Sequence, residues 1–250
     1  MNETDRIVLD LPSRWMNQAG TAGFSPGNQL LPNGSIFVTN PVSLRVRMPS
    51  ADRNLLPFPG GFLLHTGLPN AGWKAIRRKY QSHWHQSDSP IWIHVISQDL
   101  AGLEGIVRDC EEIDGIAAIE LGLPPACPRD WMMQLIQSAR GEIPLVLHIS
   151  LGEDLSVLSS LPEAVSAVTL GTPRGIVPEG ENGRLIHGRL HGPGLFPQML
   201  NALQDARTWQ IPVILGGICN QKDGETALNN GAAAVQIDHL CWQGGLPTGL

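Results

Sequence analysis

The sequence predicts an α/β fold, and three observations support this prediction. Short apolar runs alternate with segments of helical pattern, as in folds built from parallel strands joined by helices. Many of these runs are continuously apolar, which is typical of strands buried on both faces. The chain has 250 residues, and a barrel of eight βα units typically has about 250. We therefore predict a single (β/α)8 TIM barrel domain over residues 1–250, with long loops over its C-terminal mouth.

Eight apolar runs are predicted as the barrel strands. In chain order they are Trp15–Gln18, Ile36–Thr39, Ile91–Ile96, Ala117–Leu121, Leu145–Ile149, Ala167–Leu170, Val213–Leu215 and Ala234–Ile237. Helical spacing of apolar residues predicts helices between them. The predicted helices are Ala71–Ser82, Leu100–Ile113, Arg129–Ala139, Asp154–Leu158, Leu195–Thr208 and Lys222–Asn230. Pro197 lies near the start of its helix, where the missing N–H of proline costs little.

The C-terminal quarter of the chain carries the clearest functional signal. The apolar run Ile211–Ile218 contains Gly216 and Gly217, and a second apolar run follows Gly231 after a polar stretch. This pattern predicts a strand, a helix and a parallel strand. Glycines at the carboxyl end of a strand allow close approach to the backbone, and the loops after the last two barrel strands often bind phosphate. The sequence therefore predicts a phosphate cradle at this place.

Two long segments interrupt the alternation of strands and helices. Arg45–Gly61 is rich in proline and polar residues, and Thr172–Pro193 is rich in glycine. We predict both as loops that cross the barrel mouth, with a short hairpin around Gly183–Gly188 in the second. Long loops at this end of barrel strands usually carry the chemistry.

Composition narrows the classes of partner. The formal net charge is −6 and basic residues cluster only in Lys74, Arg77, Arg78 and Lys79, on one predicted helix face, so nucleic-acid binding is not expected. Only 16% of the residues are charged, against about 25% in an ordinary soluble domain. A partner that covers part of the surface accounts for this, and the alternative is a modestly soluble monomer. We predict a homo-oligomer or a subunit of a hetero-complex.

The four cysteines form no recognisable metal or disulfide pattern. Cys110, Cys127, Cys219 and Cys241 lack CxxC spacing, so neither a zinc site nor a disulfide framework is predicted. Cysteines without a disulfide pattern are typical of proteins in a reducing compartment, and we expect a cytoplasmic protein. No signal peptide is recognised and no apolar run reaches the length of a membrane span, so none is expected.

Seven short motifs follow one another along the chain. They are Met16–Gly23, Val38–Leu44, Gly60–Phe62 with Gly67–Asn70, Ile119–Pro128, Thr169–Gly175, Gly188–Pro193 and Gly216–Ile218. Each is weak alone, but in this order they resemble the dihydroorotate dehydrogenase family of FMN-dependent barrels. The resemblance implies FMN over the C-terminal mouth and oxidation of dihydroorotate to orotate. In that chemistry the flavin supplies the redox step and the protein supplies position and electrostatics.

The resemblance also implies three groups of site residues. Contacts to FMN fall on Ala19, Gly20, Thr21, Gly188, Arg189, His191, Gly192, Gly216, Gly217, Asp238 and His239. Catalytic positions fall on Cys127, His148 and Asn40, and substrate-binding positions on Asn70 and Thr172.

Several positions depart from the family pattern. The two family lysines fall on Asn40 and His148, and substrate-binding asparagines fall on Leu64, Gly122 and Gly171. Each polar group of a substrate left unpaired in a buried site costs about 1–3 kcal/mol. We therefore predict that the chain does not act on dihydroorotate itself.

The predicted phosphate cradle is altered as well. Asp238 and His239 stand where the family has glycine followed by threonine or serine, and a carboxylate repels a phosphate dianion. Two arrangements remain open. Asp238 pairs with Arg189 and fills the phosphate position, which gives a flavin-free barrel, or Arg189 binds the phosphate in a bidentate manner.

Cys127 is the remaining candidate for a catalytic base. In the soluble branch of the family, a cysteine at the corresponding position acts as the base. Pro124 and Pro125 stiffen the preceding loop, which is longer than in the family. A thiolate needs a nearby positive charge, for which Arg129 is the sequence neighbour. The alternative is an ordinary loop cysteine.

Histidines concentrate at the predicted mouth. His65, His94 and His148 lie at or near strand ends, and His187, His191 and His239 lie in mouth loops. A metal site or an acid–base set is conceivable, but no His-x-His or His-Glu-x-x-His spacing supports a metal. We predict no metal and expect the imidazoles to fill space left by a missing flavin.

Two functions therefore remain open. The first is a divergent FMN-dependent oxidoreductase with an altered substrate. The second is a catalytically inactive, flavin-free barrel that serves as a structural or regulatory subunit of a larger complex.

Overall fold

Twelve strands and five α-helices make up the part of the chain that the structure describes. This computed structural model describes residues 6–27, 31, 34–51, 55–153, 161–180 and 183–238. The strands are β1 (Trp15–Asn17), β2 (Phe37–Val38), β3 (Leu55–Phe58), β4 (Gly61–Leu64), β5 (Ile91–Ile96), β6 (Ile116–Gly122), β7 (Leu145–Ser150), β8 (Val165–Gly171), β9 (Arg174–Glu179), β10 (Arg184–His191), β11 (Val213–Ile218) and β12 (Ala234–Ile237).

Eight parallel strands form the barrel. Their order is β1-β12-β11-β8-β7-β6-β5-β2, and a parallel bridge between Met16 and Ile36 joins the two ends of the sheet. Each of the eight predicted runs overlaps one of these strands. The predicted (β/α)8 barrel is thus confirmed. The strands follow continuous apolar runs because helices cover their outer face while side chains fill the interior.

The helices connect successive strands on the outside of the barrel. They are α1 (Trp73–His85), α2 (Leu100–Glu111), α3 (Arg129–Ser138), α4 (Phe196–Asp205) and α5 (Gln221–Asn229). Asp99 caps α2 by accepting from the Gly102 N–H at 3.1 Å, and Asn220 caps α5 through the Asp223 N–H at 2.9 Å. The predicted helix Asp154–Leu158 lies outside the described residues. In the described ranges, no helix has both the length and the hydrophobicity to cross a membrane.

A four-stranded antiparallel sheet lies over the mouth, so the two long segments predicted as loops contain strands. Its order is β3-β4-β10-β9, and the predicted short hairpin is a longer one that pairs Arg174 with Arg189 and Glu179 with Arg184. Pro57 is accepted because β3 is an edge strand. Buried Leu56, Leu63 and Ile186 give this sheet its own small core.

Side chains inside the barrel form layers, because alternate residues of a strand face the same side. The lower layer is apolar and buried: Met16, Ile36, Val38, Trp92, Ala118, Val146, Ala167, Ile214 and Ala234. Two residues further along five of these strands, the side chains are polar and still buried. This polar layer consists of His94, Glu120, His148, Thr169 and Gln236. Another two residues on, toward the mouth, are Gly122 and Gly171.

Candidate functional site at the barrel mouth

Two adjoining cavities lie between the barrel and the antiparallel sheet. The mouth cavity, of about 430 Å³, is lined by Ala19, Gly20, Thr21, Asn40, Gly188 and Asp238, among others. The side cavity, of about 560 Å³, is lined by Ile96, Ser97, Gly122 and Leu123 near the carboxyl ends of β5 and β6. Both volumes fall in the range of about 300–1,000 Å³ that small-molecule sites occupy.

Three arginines line both cavities. Arg174 and Arg189 are partners in adjacent strands, and Arg47 comes from the segment before β3. Arg47 donates from Nε to the Gly67 carbonyl at 3.2 Å. Burial and, next, the Arg174 guanidinium lower the pKa of Arg189. Within the described ranges, neither Arg174 nor Arg189 has an ion pair, so only more distant carboxylates offset the positive charge on this wall of the two cavities.

In the predicted phosphate cradle, a side chain of the protein already accepts the backbone hydrogen bond that a phosphate would need. The Gly217 N–H donates to Oε1 of Gln18 at 2.7 Å. Gly217 has a φ of 70°, and a Cβ there would lie 2.5 Å from Cγ2 of Thr172. Gly216 and Gly217 are buried and line neither of the two cavities. A phosphate therefore has no free Gly217 amide to bind.

Asp238 is also held internally. Its Oδ2 pairs with Nδ1 of His191, both side chains are buried, and Oδ1 has no hydrogen-bond partner among the described residues. The pairing of Asp238 with Arg189, one of the two arrangements left open by the sequence, is absent from the described ion pairs; His191 takes that place. His239 lies outside the described residues. A buried carboxylate and an occupied amide do not fit the phosphate of FMN, so the family mode of FMN binding does not fit this site.

Close packing explains why glycine occurs at positions 188 and 192. A Cβ at Gly188 would lie 2.5 Å from Cδ2 of Leu63, inside the core of the antiparallel sheet. Gly192 has a φ of 148° and packs against the Gly60 carbonyl. Both glycines are required by close packing, whatever the cavity binds.

The turn after β1, which the family resemblance assigns to flavin, lines the mouth cavity, and its contact with a ligand stays a prediction. Ala19, Gly20 and Thr21 contribute to its wall. Asn40, at the position of a family lysine, accepts from the Gly23 N–H through Oδ1 at 3.0 Å and thus holds this turn. The structure gives Asn40 a positioning role and brings it to the cavity wall.

Of the two predicted substrate-binding residues, Asn70 is hydrogen-bonded within the protein and Thr172 is buried. Oδ1 of Asn70 accepts from the Gly72 N–H at 3.0 Å, and its Nδ2 donates to Oγ of Ser43 at 3.0 Å. Asn70 therefore fixes the loop before α1. Thr172 is buried beside Gly217, and its hydroxyl has no hydrogen-bond partner in the described ranges.

Cys127 is not brought to the mouth cavity. It lines a separate cavity of about 420 Å³ together with Pro128 and Glu153. Burial, and then the Glu153 carboxylate, raise the pKa of Cys127. A raised pKa keeps the thiol protonated near neutrality, which disfavours its predicted role as a base.

The polar layer is centred on Glu120, which sequence reasoning did not single out. The Glu120 side chain is fully buried. Its Oε1 accepts from Thr169 Oγ1 at 2.8 Å and from Gln236 Nε2 at 2.6 Å. Its Oε2 lies 2.6 Å from Nδ1 of His94 and 3.6 Å from Nδ1 of His148. Oε2 therefore faces the two strands next to β6, whereas Oε1 is fixed by side chains of β8 and β12.

Two glycines make room for the imidazoles of this layer. A Cβ at Gly122 would lie 2.7 Å from Nε2 of His94, and a Cβ at Gly171 would overlap the His148 ring. The family resemblance places substrate-binding asparagines at these two positions. The imidazoles therefore occupy space that larger residues would fill.

The protonation of the polar layer follows from burial and from these contacts. Burial alone would raise the pKa of Glu120, but His148 and His94 outweigh it, and the pKa lies well below its ordinary value. Burial lowers the pKa of His148 to about 4, against the opposing effect of Glu120. At neutral pH the barrel interior thus holds an ionised carboxylate beside a neutral His148 imidazole.

Some residues of the site were not predicted, although the sequence contains an indication of their burial. Glu120 is the one carboxylate inside the apolar run of β6, and a buried charge must be paired. Gln18 directly follows β1 and is buried as well. Arg47 and Arg174 lie in segments predicted as loops, where one arginine is not distinguishable from another without the sheet that brings them together.

Curated proteins similar to this chain carry the family name that the motifs indicated. A catalytic subunit of dihydroorotate dehydrogenase B (NAD(+)) from Thermococcus kodakarensis is 23% identical over 225 residues, which cover 80% of this chain and 72% of that protein. The corresponding subunit from Pelobacter propionicus is 25% identical over 260 residues, covering 92% and 84%. The one from Bacteroides fragilis is 26% identical over 207 residues, covering 72% and 66%.

Solved structures give more distant similarities. The tryptophan synthase α-subunit of Pyrococcus furiosus aligns with a TM-score of 0.46 at 15% identity, covering 67% of this chain and 63% of its own. A FabK mutant from Thermotoga maritima aligns with a TM-score of 0.43 at 17% identity, covering 67% and 49%. No family model matches the chain.

Proposed function

We propose that this divergent relative of the dihydroorotate dehydrogenase catalytic subunits binds a small organic anion at its barrel mouth and does not hold FMN in the family manner. The observation that carries this proposal is the hydrogen bond of 2.7 Å from the Gly217 N–H to Gln18, next to the buried pair of Asp238 and His191. Together these groups occupy the donors and the space that a phosphate at the end of β11 and β12 requires.

The anionic nature of the ligand follows from the arginines. Arg174 and Arg189 present guanidinium groups to both cavities, and Arg47 lies at the same wall. Two neighbouring guanidiniums repel each other, and an anion between them removes this repulsion while forming charge-assisted hydrogen bonds. A carboxylate or a phosphate ester with a small organic body matches these donors and the cavity volumes.

Replacing Arg189 tests this proposal. For Arg189→Gln we expect anion affinity to fall roughly 10- to 100-fold, because one charge-assisted hydrogen bond contributes about 1.5–3 kcal/mol. The measurement is calorimetric titration of tag-free protein with inorganic phosphate, orotate and FMN in turn. The matched control is Arg78→Gln on the exposed face of α1, which should bind as the wild type does. Equal affinities for the wild type and Arg189→Gln with all three probes would contradict the proposal.

An FMN-dependent oxidoreductase is the second candidate function. It is favoured by the mouth cavity, which is lined by the turn Ala19, Gly20 and Thr21 that the family resemblance assigns to flavin. In that case the arginines would have to replace the amide cradle as the phosphate site. An absorption spectrum decides between the two candidates. We expect colourless protein that binds FMN no more tightly than inorganic phosphate, whereas yellow protein with one flavin per chain would establish the second candidate.

The proposal retains the expectation that this chain is a subunit of an oligomer or of a hetero-complex. The similar proteins are named catalytic subunits. Large apolar side chains are exposed around the antiparallel sheet and the preceding segment: Val46, Met48, Leu55, Ile176 and Leu185. Light scattering of the purified chain distinguishes a homo-oligomer from a monomer.

A further inference from the structure

We propose that His94, Glu120 and His148 bind a divalent first-row transition-metal ion inside the barrel. The proposal concerns the polar layer and does not rest on the function proposed for the mouth cavity. Its geometric basis is that one donor atom from each of the three residues lies within 4.8 Å of the others.

The donor set suits such an ion. Two imidazoles and one carboxylate are ligands of zinc and of non-haem iron sites, and they leave further coordination positions open. The three residues come from β5, β6 and β7, which are neighbours in the barrel sheet. Ligands on adjacent paired strands are held more rigidly than ligands on loops. The nitrogen donors disfavour Ca²⁺ and Mg²⁺, which prefer oxygen.

The surroundings of Glu120 match the outer shell of a metal site. Oε1 is fixed by Thr169 and Gln236, which leaves Oε2 directed at the two imidazoles. Outer hydrogen bonds of this kind orient a ligating carboxylate. A coordinated cation would also compensate the negative charge of Glu120, which has no lysine or arginine within ion-pair distance among the described residues.

Unpartnered nitrogen atoms supply an independent observation. Nε2 of His94 and both ring nitrogens of His148 are buried and have no hydrogen-bond partner in the described part of the chain. Each neutral imidazole has one nitrogen with a free lone pair, which needs either a donor or a cation. A metal ion between Oε2 of Glu120 and the Nδ1 atoms of both imidazoles satisfies a lone pair of His148 that the described residues leave unmatched.

The side cavity approaches the His94 imidazole at the mouth. Gly122 lines the side cavity, and the position of its missing Cβ is 2.7 Å from Nε2 of His94. Only a glycine separates the Nε2 edge of this imidazole from the side cavity. The 2.6 Å contact of His94 with Glu120 is a proton-mediated hydrogen bond, and a metal ion would replace that proton.

Metal titration of tag-free protein, stripped with EDTA and dialysed, tests the proposal. We expect one Co²⁺ per chain, with visible absorption bands of a coordinated ion, and displacement of Co²⁺ by Zn²⁺. His148→Gln and Glu120→Gln should weaken Co²⁺ binding by at least about 100-fold, and Thr169→Val, which removes one outer hydrogen bond, by about 10-fold. The matched control is His85→Gln on α1, an exposed histidine that should leave binding unchanged.

Wild-type protein that binds no Co²⁺ or Zn²⁺ would overturn the proposal, and so would unchanged binding in His148→Gln. Loss of binding in His85→Gln would place the ion on the surface and overturn it as well. If the ligand variants fail to fold, X-ray absorption of the Co²⁺-loaded wild type replaces them. Two imidazoles and oxygen donors are expected there, and a spectrum without imidazole would contradict the assignment. None of these results depends on anion binding by Arg189.

Discussion

Replacing Glu120 by alanine is expected to lower the free energy of unfolding by about 3–5 kcal/mol, the cost typical of removing one partner from a buried charged network. The substitution leaves the Thr169 hydroxyl, the Gln236 amide and Nδ1 of His94 without their acceptor in a fully buried layer. Chemical denaturation in the presence of EDTA measures the effect on the protein alone.

The matched control is Glu112→Ala. Glu112 pairs with Arg77 on the surface, and its side chain is 63% exposed. An exposed pair contributes about 0–1 kcal/mol, so the control should unfold nearly as the wild type does. If Glu120→Ala were destabilised by no more than Glu112→Ala, the polar layer would not be the tightly coupled network described above.

The barrel could be predicted from the sequence because its signal is local and repeated. Runs such as Ile91–Ile96 and Ala234–Ile237 agree residue for residue with β5 and β12, since continuous apolar stretches have few alternatives to strands buried on both faces. The antiparallel sheet was missed for the opposite reason. Its strands contain Pro57 and Pro178, which are tolerated at sheet edges but indicate loops when the pairing is unknown.

The site was predictable only in part, because its chemistry depends on contacts between distant residues. The turn Ala19–Thr21 and Asn40, to which the family resemblance gives site roles, line the mouth cavity, and those roles stay predictions. Gln18, however, meets Gly217 across 199 positions of the chain, and no local pattern reports such a contact. The same holds for the partner of Asp238, for which charge favoured Arg189, whereas the geometry gives His191.

The clustering of His94, His148 and Glu120 could not be predicted from the sequence, for a related reason. Metal motifs recognised from spacing place ligands on one helix or one loop. Here each ligand comes from a different strand, so the spacing along the chain carries no information about the cluster. What the sequence does show is that each polar residue interrupts an apolar strand, and that signal identifies the polar layer without saying what it holds.

Gly217→Ala is expected to destabilise the protein by about 2–4 kcal/mol, as the sum of left-handed backbone strain and overpacking. Gly217 has a φ of 70°, and an added Cβ would lie 2.5 Å from Cγ2 of Thr172 and 3.0 Å from Cε of Met199. The neighbouring Gly216→Ala is the matched control. Its backbone is not left-handed, its nearest contact would be 3.2 Å from the Leu170 carbonyl, and a loss of about 1 kcal/mol is expected.

Denaturation of the two variants, with and without FMN, connects this difference to function. If Gly217 serves packing alone, Gly217→Ala is the less stable variant in both conditions, and FMN shifts the curves of both variants equally. If the amide of Gly217 still bound a phosphate, FMN would stabilise the wild type and Gly216→Ala more than Gly217→Ala, because alanine keeps the N–H but its strained backbone would displace it. Stabilisation in that pattern would contradict the closed cradle described above. Gly217 is thus required by the fold of β11 itself, so its presence in the sequence does not by itself indicate a bound cofactor.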